Sequence, residues 1–272
     1  MSYFVYTLSA LLIGYASIGI YLMLMERRLL FKPARTIVVT PLQLGVQFED
    51  VWINSADGEK LHAWFVPAGA NSKVVLFCHG NNGNIGDCLD TLSIFYRLGY
   101  STLLFDYRGY GKSSGAPTEE GVCQDAMSVW QYLCTQRGFA ADQIVLFGRS
   151  MGAAVATCLA TQVKPRALVL ESPFLSLPEL GQHMYPYVPV RWLARIKFDN
   201  YARINQVQCP TLFIHSREDE LIPLWHGWKL FEHYQGAKKF IEIRGRHADG
   251  YLSTGELYVS SLRDFLDNVA HH

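Results

Sequence analysis

Three polar residues follow one another along the chain in an order that could provide a nucleophile, an acid and a base. Ser150 is the centre of Gly148-Arg149-Ser150-Met151-Gly152, which has the pattern Gly-x-Ser-x-Gly, and Asp219 and His247 come later in the chain. A serine hydroxyl is a poor nucleophile near neutral pH unless a base takes its proton and a carboxylate orients that base. The three residues therefore predict acyl transfer through an acyl-enzyme intermediate on Ser150.

The surroundings of Ser150 are typical of a nucleophile elbow. The pentapeptide comes directly after an apolar strand at 143–147 and directly before a helix of small residues at 153–160. In this strand–turn–helix setting the serine holds a strained conformation, and the glycines let the strand and the helix pass closely. The helix N-terminus favours negative charge that develops beside it. The alternative is a serine that only caps a helix.

The predicted acid and base both follow strands. Asp219 comes just after an apolar strand at 210–215, and His247 comes just after the next one at 239–244. Both residues are therefore expected in loops at the carboxyl ends of strands, at the same edge of the sheet as Ser150. Three other carboxylates remain alternatives for the acid, namely Glu171, Glu218 and Glu220.

A loop rich in glycine and asparagine follows the first central strand. His79, Gly80 and Asn81 begin this loop. Acyl transfer needs hydrogen-bond donors that point at the oxygen on which negative charge develops. The backbone N–H groups of Met151 and Asn81 are the candidates for this oxyanion hole. An ordinary turn would have a similar composition.

The elements that must position these residues alternate between strands and helices. Short apolar runs at 74–78, 102–106, 144–147, 167–170, 211–214 and 240–243 are typical of strands buried on both faces. Helices are predicted at 119–136, 153–162, 224–234 and 256–268. Alternating segments at 46–53 and 60–66 flank Asp57-Gly58 and predict a hairpin. This order indicates an α/β protein with a mostly parallel central sheet and helices on both faces.

With these motifs, residues 46–270 resemble the α/β-hydrolase superfamily. The residues that carry the resemblance are His79-Gly80-Asn81, the segment 105–111, the pentapeptide around Ser150, Asp219 with Pro223, and His247. Within the superfamily the chain is similar to the ABHD-type, membrane-anchored serine hydrolases, which carry a stretch like Leu30-Phe31-Lys32-Pro33 after one hydrophobic helix. Relatives often have His-Asn-Asp where this chain has His247-Ala248-Asp249.

The resemblance implies hydrolysis of carboxylic esters, thioesters or lipid esters with no metal ion and no organic cofactor. A lysophospholipase or a monoacylglycerol lipase is an alternative within the same chemistry. It also implies a structural role for Asp106 and Arg108. A catalytically silent scaffold with the α/β-hydrolase fold is the alternative from another class, and the intact set of Ser150, Asp219 and His247 speaks against it.

A short insertion is expected to form the lid over the site. It occupies residues 174–208, which is too short for a full helical cap. Its aromatic residues Tyr185, Tyr187 and Trp192, together with His79 and Gly80, are the candidates for binding substrate. Contact of the aromatic stretch with lipid, or ordinary packing over the edge of the sheet, remains an alternative.

The N-terminal segment is predicted to anchor the chain in a membrane. Residues 3–25 carry no charge and are long enough to cross a bilayer. A signal peptide is the alternative, but no basic residue precedes the run and no Ala-x-Ala site ends it. Residues 1–28 are thus expected to form a single-pass anchor and residues 29–272 the catalytic domain. Because Arg27, Arg28, Lys32 and Arg35 follow the run, the catalytic domain is predicted on the cytoplasmic side.

The composition argues against some other functions. Lys and Arg together number 24, as do Asp and Glu, so no overall charge attracts nucleic acid. The six cysteines include no Cys-x-x-Cys pair, which disfavours a zinc site and favours buried thiols. The expected partners are therefore an acyl substrate and the membrane, while the oligomeric state stays open.

Overall fold

A computed structural model describes residues 2–70 and 72–269 of the chain. The strands are β1 (Lys32–Pro33), β2 (Glu49–Asn54), β3 (Lys60–Val66), β4 (Val74–Cys78), β5 (Asn82–Gly83), β6 (Ser101–Phe105), β7 (Ile144–Arg149), β8 (Ala167–Glu171), β9 (Thr211–Ser216) and β10 (Lys238–Ile243). The α-helices are α1 (Ser2–Leu30), α2 (Leu89–Arg97), α3 (Glu119–Thr135), α4 (Met151–Ala160), α5 (Leu177–Met184), α6 (Val190–Leu193), α7 (Asn200–Arg203), α8 (Leu224–His233), α9 (Gly250–Thr254) and α10 (Glu256–Asn268).

Eight strands form one mostly parallel sheet in the order β10-β9-β8-β7-β4-β6-β3-β2. The strands from β10 to β6 pair in parallel, whereas β3 pairs antiparallel with both β2 and β6. The predicted hairpin is the β2–β3 pair, which turns at Gly58 with a φ of +91°. The predicted α/β-hydrolase architecture is confirmed.

The central strands are apolar on both faces because helices cover both sides of the sheet. Along β4, Val74 and Leu76 belong to one buried cluster, while Val75 and Phe77 belong to the cluster on the opposite face. Each strand thus contributes side chains alternately to two cores. This double burial is why the strands read as continuous apolar runs rather than as an alternating pattern.

The predicted strands and long helices are found to within a few residues, but α2 was not predicted. This helix contributes Leu92 and Phe95 to the core and follows a 3-10 turn that Asn84 caps. The segment expected to be a lid contains the short helices α5, α6 and α7.

Helix α1 has two different halves. It is long and apolar enough to cross a membrane, and nearly all of its first half is exposed. In its second half Gly19, Leu22, Met23, Met25, Glu26 and Leu30 are partly buried, and the spacing of all but Met25 places them on one face against the catalytic domain. The helix continues two residues beyond the predicted anchor boundary at residue 28, and the next residue, Phe31, packs into the core.

Candidate active site

Ser150 lies in a sharp turn between β7 and α4. Its φ and ψ are +56° and −121°, a conformation that side-chain-bearing residues rarely adopt. Its backbone N–H donates to the carbonyl of Glu171 on the neighbouring strand at 2.9 Å. The residue is half-buried and lies at the N-terminus of a fully buried helix. Developing negative charge beside this turn would therefore face the positive end of the α4 dipole.

Two glycines make this turn possible. A Cβ atom at Gly148 would overlap the backbone carbonyl of Gly152, and a Cβ at Gly152 would overlap the carbonyl oxygen of Cys78. The obstacles are backbone atoms of α4 and of the end of β4, so a larger residue could not be accommodated by moving a side chain. The Gly-x-Ser-x-Gly pattern is thus a steric requirement of this close approach between β4, β7 and α4.

Asp219 and His247 are joined by a hydrogen bond. His247 Nδ1–H donates to Asp219 Oδ2 at 2.8 Å, and both residues lie in loops that follow adjacent strands, β9 and β10. The other carboxylate oxygen of Asp219 accepts the backbone N–H groups of Leu221 and Ile222 at 3.0 and 2.8 Å. The carboxylate is therefore held on both sides and leaves His247 Nε2 as the free ring nitrogen.

The electrostatics keep Asp219 ionised. Burial raises its pKa, but the hydrogen bond and charge of His247 outweigh burial, so that the pKa lies below its ordinary value of 3.8. His215 also lies beneath this carboxylate, with Nε2 3.6 Å from Asp219 Oδ2. Burial lowers the pKa of His215, and its Nε2–H donates to the Ile222 carbonyl at 2.7 Å. A neutral His215 thus braces the loop that holds Asp219.

The other candidate acids have different partners. Glu220 accepts the backbone N–H of His247 at 3.0 Å, and Glu218 accepts that of Gly245 at 2.9 Å. Glu171 lies beneath Ser150 and pairs with Arg149. Among these four candidate acids, Asp219 is the one whose carboxylate contacts the His247 ring.

No hydrogen bond joins the Ser150 hydroxyl to His247 among the residues that the structure describes. Such bonds between nucleophile and base are often long in enzymes without substrate and tighten when it binds. The fold nevertheless brings both residues to one edge of the sheet, because β7 and β10 are parallel members of it. The Asp219–His247 pair is thus formed before any substrate is present.

The loop after β4 approaches the nucleophile closely. A Cβ at Gly80 would lie 3.9 Å from the Cβ of Ser150. The next residue, Asn81, is held by three hydrogen bonds: its side chain donates to Leu30 O at 2.7 Å, and its carbonyl accepts Tyr110 Oη–H at 2.7 Å and Lys32 N–H at 2.9 Å. Asn81, the residue whose N–H is the candidate donor, is therefore held in place by the last residue of α1, by β1 and by Tyr110.

The contribution of residues 30–33 to this loop was not predicted. Strand β1 pairs in parallel with β5, which follows Asn81 directly. The Leu30-Phe31-Lys32-Pro33 stretch was noticed in the sequence only as a family resemblance. Its role in holding the loop depends on a pairing between segments about 50 residues apart, which no local pattern reveals.

Two of the predicted substrate-binding groups lie in this loop, but they differ in position. Gly80 lies beside Ser150, as described above. The His79 side chain is buried and packs on Tyr107 and Tyr110, and its Nδ1–H donates to the carbonyl of Gly80 at 2.8 Å. Burial lowers the pKa of this ring. The His79 side chain therefore supports the loop from below instead of facing the space above Ser150.

The predicted substrate-binding residues of the lid lie on an outer surface. Tyr185, Tyr187 and Trp192 are all exposed, the last two to 88% and 89%. Tyr187 is next to α1, because its carbonyl accepts a hydrogen bond from Tyr15 Oη–H at 2.7 Å. These three aromatic rings are thus exposed on the surface of the protein, and the backbone of Tyr187 contacts the N-terminal helix.

A buried ionic network lies under the elbow and was also not predicted. Arg149 donates through Nε to Glu171 at 3.0 Å and through Nη2 to Thr91 at 2.7 Å, and its guanidinium lies over the Tyr251 ring. Glu171 accepts a further hydrogen bond from Tyr258 Oη–H at 2.7 Å. The residue before the nucleophile is thereby linked to α9 and α10, the helices that follow the loop of His247.

Comparison with known proteins agrees with this geometry. The family model described as "Serine aminopeptidase, S33" matches residues 69–202. An uncharacterized protein of Mycobacterium tuberculosis is 35% identical and aligns over 90% of this chain and 88% of its own length. The Pyrococcus furiosus esterase Pf2001 superimposes with a TM-score of 0.76, covering 88% of this chain and 98% of that structure at 23% identity.

The chain belongs to the α/β-hydrolase superfamily. This membership confirms the resemblance that the sequence motifs predicted. Together with relatives that are lipases, it also identifies the chain as a serine hydrolase of the esterase and lipase kind.

Two further relatives bear on location and chemistry. An uncharacterized membrane protein of Saccharomyces cerevisiae is 33% identical over 86% of this chain and 84% of its own length. The lysophosphatidylserine lipase ABHD12 of Macaca fascicularis is 32% identical over 71% of this chain but only 53% of its own length. The chain therefore spans about half the length of that lipase. Helix α1 and the yeast relative together support an association with a membrane.

Proposed function

We propose that this protein is a membrane-anchored serine hydrolase that cleaves carboxylic esters or thioesters of acyl chains through Ser150, His247 and Asp219. The observation that carries the proposal is the strained Ser150 at the N-terminus of α4, at the same edge of the sheet as a preformed Asp219–His247 pair. Strain of this kind persists only where the surroundings enforce it, and here two glycines and two backbone carbonyls do so. A serine that only capped a helix would not need this conformation.

The reaction would begin with proton transfer from the Ser150 hydroxyl to His247 Nε2. The oxygen then attacks the acyl carbonyl, and Asp219 stabilises the imidazolium that forms. Because the pKa of Asp219 is lowered, this carboxylate stays ionised and can offset that positive charge. His247 next returns the proton to the leaving alcohol or thiol. A water molecule, deprotonated by His247, finally hydrolyses the acyl-enzyme and frees Ser150.

The oxyanion hole would consist of the Met151 and Asn81 N–H groups. Met151 is the first residue of α4, so its N–H lies among the orphan donors of a helix start. Asn81 is positioned by its bonds to Leu30, Lys32 and Tyr110. Donors held in advance stabilise the tetrahedral oxyanion without reorganising at the moment of reaction, which is the reason that such holes are effective.

Helix α1 would hold the protein in the membrane as a single span, with the catalytic domain on the cytoplasmic side. The support for this orientation is the cluster Arg27, Arg28, Lys32 and Arg35 after the apolar run. Anchoring places the site at the surface where acyl lipids are concentrated. Hydrolysis of a lysophospholipid is the second candidate, favoured by the similarity to lysophosphatidylserine lipases.

The test is active-site labelling of the purified full chain. We expect a fluorophosphonate probe to label the wild type and not Ser150→Ala, while the control Ser260→Ala on α10 is labelled like the wild type. Turnover of p-nitrophenyl esters from acetate to palmitate, of an acyl thioester and of lysophosphatidylserine then defines the substrate class. Absence of labelling in the folded wild type would favour a catalytically silent scaffold. Turnover of aminoacyl anilides without turnover of any ester would indicate a peptidase instead of an ester hydrolase.

A further inference from the structure

The part of the lid between Met184 and Leu193, here called the aromatic segment, runs along the N-terminal helix. Tyr187 O accepts a hydrogen bond from Tyr15, and Leu193 Cδ1 lies 3.3 Å from the position of a Cβ on Gly19. Beyond the segment, the Glu26 carboxylate accepts the N–H groups of Arg195 and Ile196 at 3.0 and 3.1 Å. Contacts are therefore distributed over twelve residues of α1, from Tyr15 to Glu26, which is about 16 Å of helix.

We propose that the aromatic segment is seated in the same membrane leaflet as the second half of α1 and forms a second membrane contact of the catalytic domain. This inference rests on the membrane span proposed above. A span needs about 20 apolar residues, and the uncharged run has 23, from Tyr3 to Met25. The hydrocarbon boundary next to the catalytic domain then lies between residues 22 and 25. Tyr15, and with it the Tyr187 carbonyl, lies about 10–15 Å inside that boundary.

The side chains of the aromatic segment suit a lipid environment. Met184, Tyr185, Tyr187 and Trp192 are exposed, although large apolar side chains usually avoid water when they occur as a group. Tyrosine and tryptophan are enriched where proteins meet the interface of a bilayer. Because Tyr187 and Leu193 contact α1, the exposed side chains of the aromatic segment continue the exposed apolar surface of that helix.

The charges near the aromatic segment agree with this placement. Its one charged residue is Arg191, which makes a two-pronged ion pair with Glu179 at 2.6 and 2.8 Å. Next to the segment, on the side of the proposed boundary, come Arg195 and Lys197. Basic residues at that level would meet the phosphates of the head groups.

Most of the backbone of the aromatic segment is paired, which suits hydrocarbon, where unpaired polar groups are costly. Pro186 and Pro189 have no N–H group to satisfy. The N–H groups of Val188, Val190, Trp192, Leu193 and Ala194 donate to carbonyls at residues 185–190, which leaves those of Tyr187 and Arg191 as the N–H groups of the segment without a partner among the described residues. The carbonyls of Pro186 and Tyr187 accept from Gln182 and Tyr15.

This placement deepens the proposed function because it makes the leaflet the source of substrate. The lid begins directly after β8, whose last residue, Glu171, accepts the Ser150 N–H. A lid seated in lipid would let an acyl chain pass from the leaflet toward the elbow without crossing water. Single-chain or double-chain esters that stay in the bilayer are then favoured over esters dissolved in water.

The experiment measures the depth of Trp192 in the full chain, reconstituted in phosphatidylcholine vesicles that contain lipids brominated along the acyl chain. The emission of Trp192 is obtained by subtracting the fluorescence emission spectrum of Trp192→Phe from that of the wild type. We expect bromolipids to quench most of this emission and aqueous iodide to leave it unchanged. The matched control is Trp52 on β2, which is 54% exposed. Its emission is obtained in the same way from the variant Trp52→Phe, and we expect iodide to quench it and bromolipids to leave it unchanged.

A second variant keeps the test independent of Trp192. Tyr187→Trp in the Trp192→Phe background places an indole beside α1, where mid-chain bromines should quench it more strongly than bromines near the head group. Iodide quenching of both indoles without bromolipid quenching would overturn the proposal. Carbonate extraction and labelling of Ser150 on the same vesicles report on the anchor and the enzyme, so failure of the proposed function is distinguished from failure of this inference.

Discussion

The elbow and the lid contain the same kinds of residues but use them under different constraints. Each has a glycine in close contact with its surroundings. At Gly152 a Cβ would meet backbone oxygens of Cys78 and His79, whereas at Gly181 in the lid it would meet the end of the Val190 side chain at 2.8 Å. A side-chain methyl can rotate away, but a carbonyl in the central sheet cannot.

Each region also has an arginine–glutamate pair. The Arg149–Glu171 pair under the elbow has side-chain exposures of 15% and 3%, while those of the Arg191–Glu179 pair in the lid are 58% and 31%. Removal of one member of a buried pair leaves an uncompensated charge, which exposed pairs avoid because water replaces the partner. Around the nucleophile, backbone atoms and a buried ion pair therefore restrict the structure. In the lid, flexible side chains and an exposed ion pair leave it free to adjust.

The largest expected effect concerns the acid beside His247. Asp219→Asn should reduce kcat/KM on a soluble ester by about 10⁴-fold, because it removes the charge that orients and stabilises the histidine. The matched control is Glu220→Gln, whose carboxylate accepts the backbone N–H of His247 and pairs with Arg246 but has no bond to the His247 ring. It should cost less than about tenfold, or 1.4 kcal/mol. Equal losses in both variants would contradict the assignment of the acid.

The two glycines provide a test of the steric part of the comparison. Gly152→Ala should abolish labelling of the serine and lower the free energy of unfolding by about 3 kcal/mol or more, since the new methyl overlaps the backbone. Gly181→Ala should change that free energy by less than about 1 kcal/mol, because Val190 can rotate and alanine favours the helix. Urea denaturation of both variants measures the difference. If Gly152→Ala remained fully active, the close approach would not be required.

The two ion pairs test the electrostatic part. Glu171→Gln should lower the free energy of unfolding by about 3 kcal/mol, because Arg149 remains buried without its counter-charge. In the lid, Glu179→Gln should lower it by less than about 1 kcal/mol. Both variants are compared with the wild type in the same detergent buffer. A larger effect in the lid would mean that the lid, and not the elbow, is the rigid element.

The smallest effect is expected from the acid titration of Asp219. Its pKa is lowered in the folded protein, so the ionised carboxylate stabilises the fold above its ordinary pKa of 3.8, and this contribution is lost as the pH falls through the lower folded value. Between about pH 5 and pH 3 the wild type should therefore lose more stability than Asp219→Asn. Parallel curves of unfolding free energy against pH would show that the pKa of Asp219 is not lowered on folding.

Much of the sheet and the residues of the candidate site could be read from local patterns. The central strands are continuous apolar runs because two helical layers bury them, and such runs are visible within five or six residues. Ser150 was found because its turn needs glycines two positions before and after it. Asp219 and His247 could be placed because parallel strands bring the loops at their carboxyl ends to one edge.

Other features depended on contacts between distant segments. The brace of His215 under Asp219 was not expected, since a histidine inside a strand shows no sign of its partner. Nor was the network of Arg149, Glu171 and Tyr258 expected, because it joins β7, β8 and α10. The role of His79 differed from the expectation for a related reason: its neighbours Tyr107 and Tyr110 come from a loop about 30 residues away.

The sequence by itself determined the fold class, the nucleophile elbow and the apolar helix, because each follows from steric or hydrophobic demands within a short window. Only the tertiary structure decided which acid touches His247, what holds Asn81, and that the lid contacts α1 at Tyr187. Those arrangements join segments from about 30 to more than 170 residues apart, such as Tyr15 and Tyr187. Residue types reveal what such side chains can do, and packing decides which of them meet.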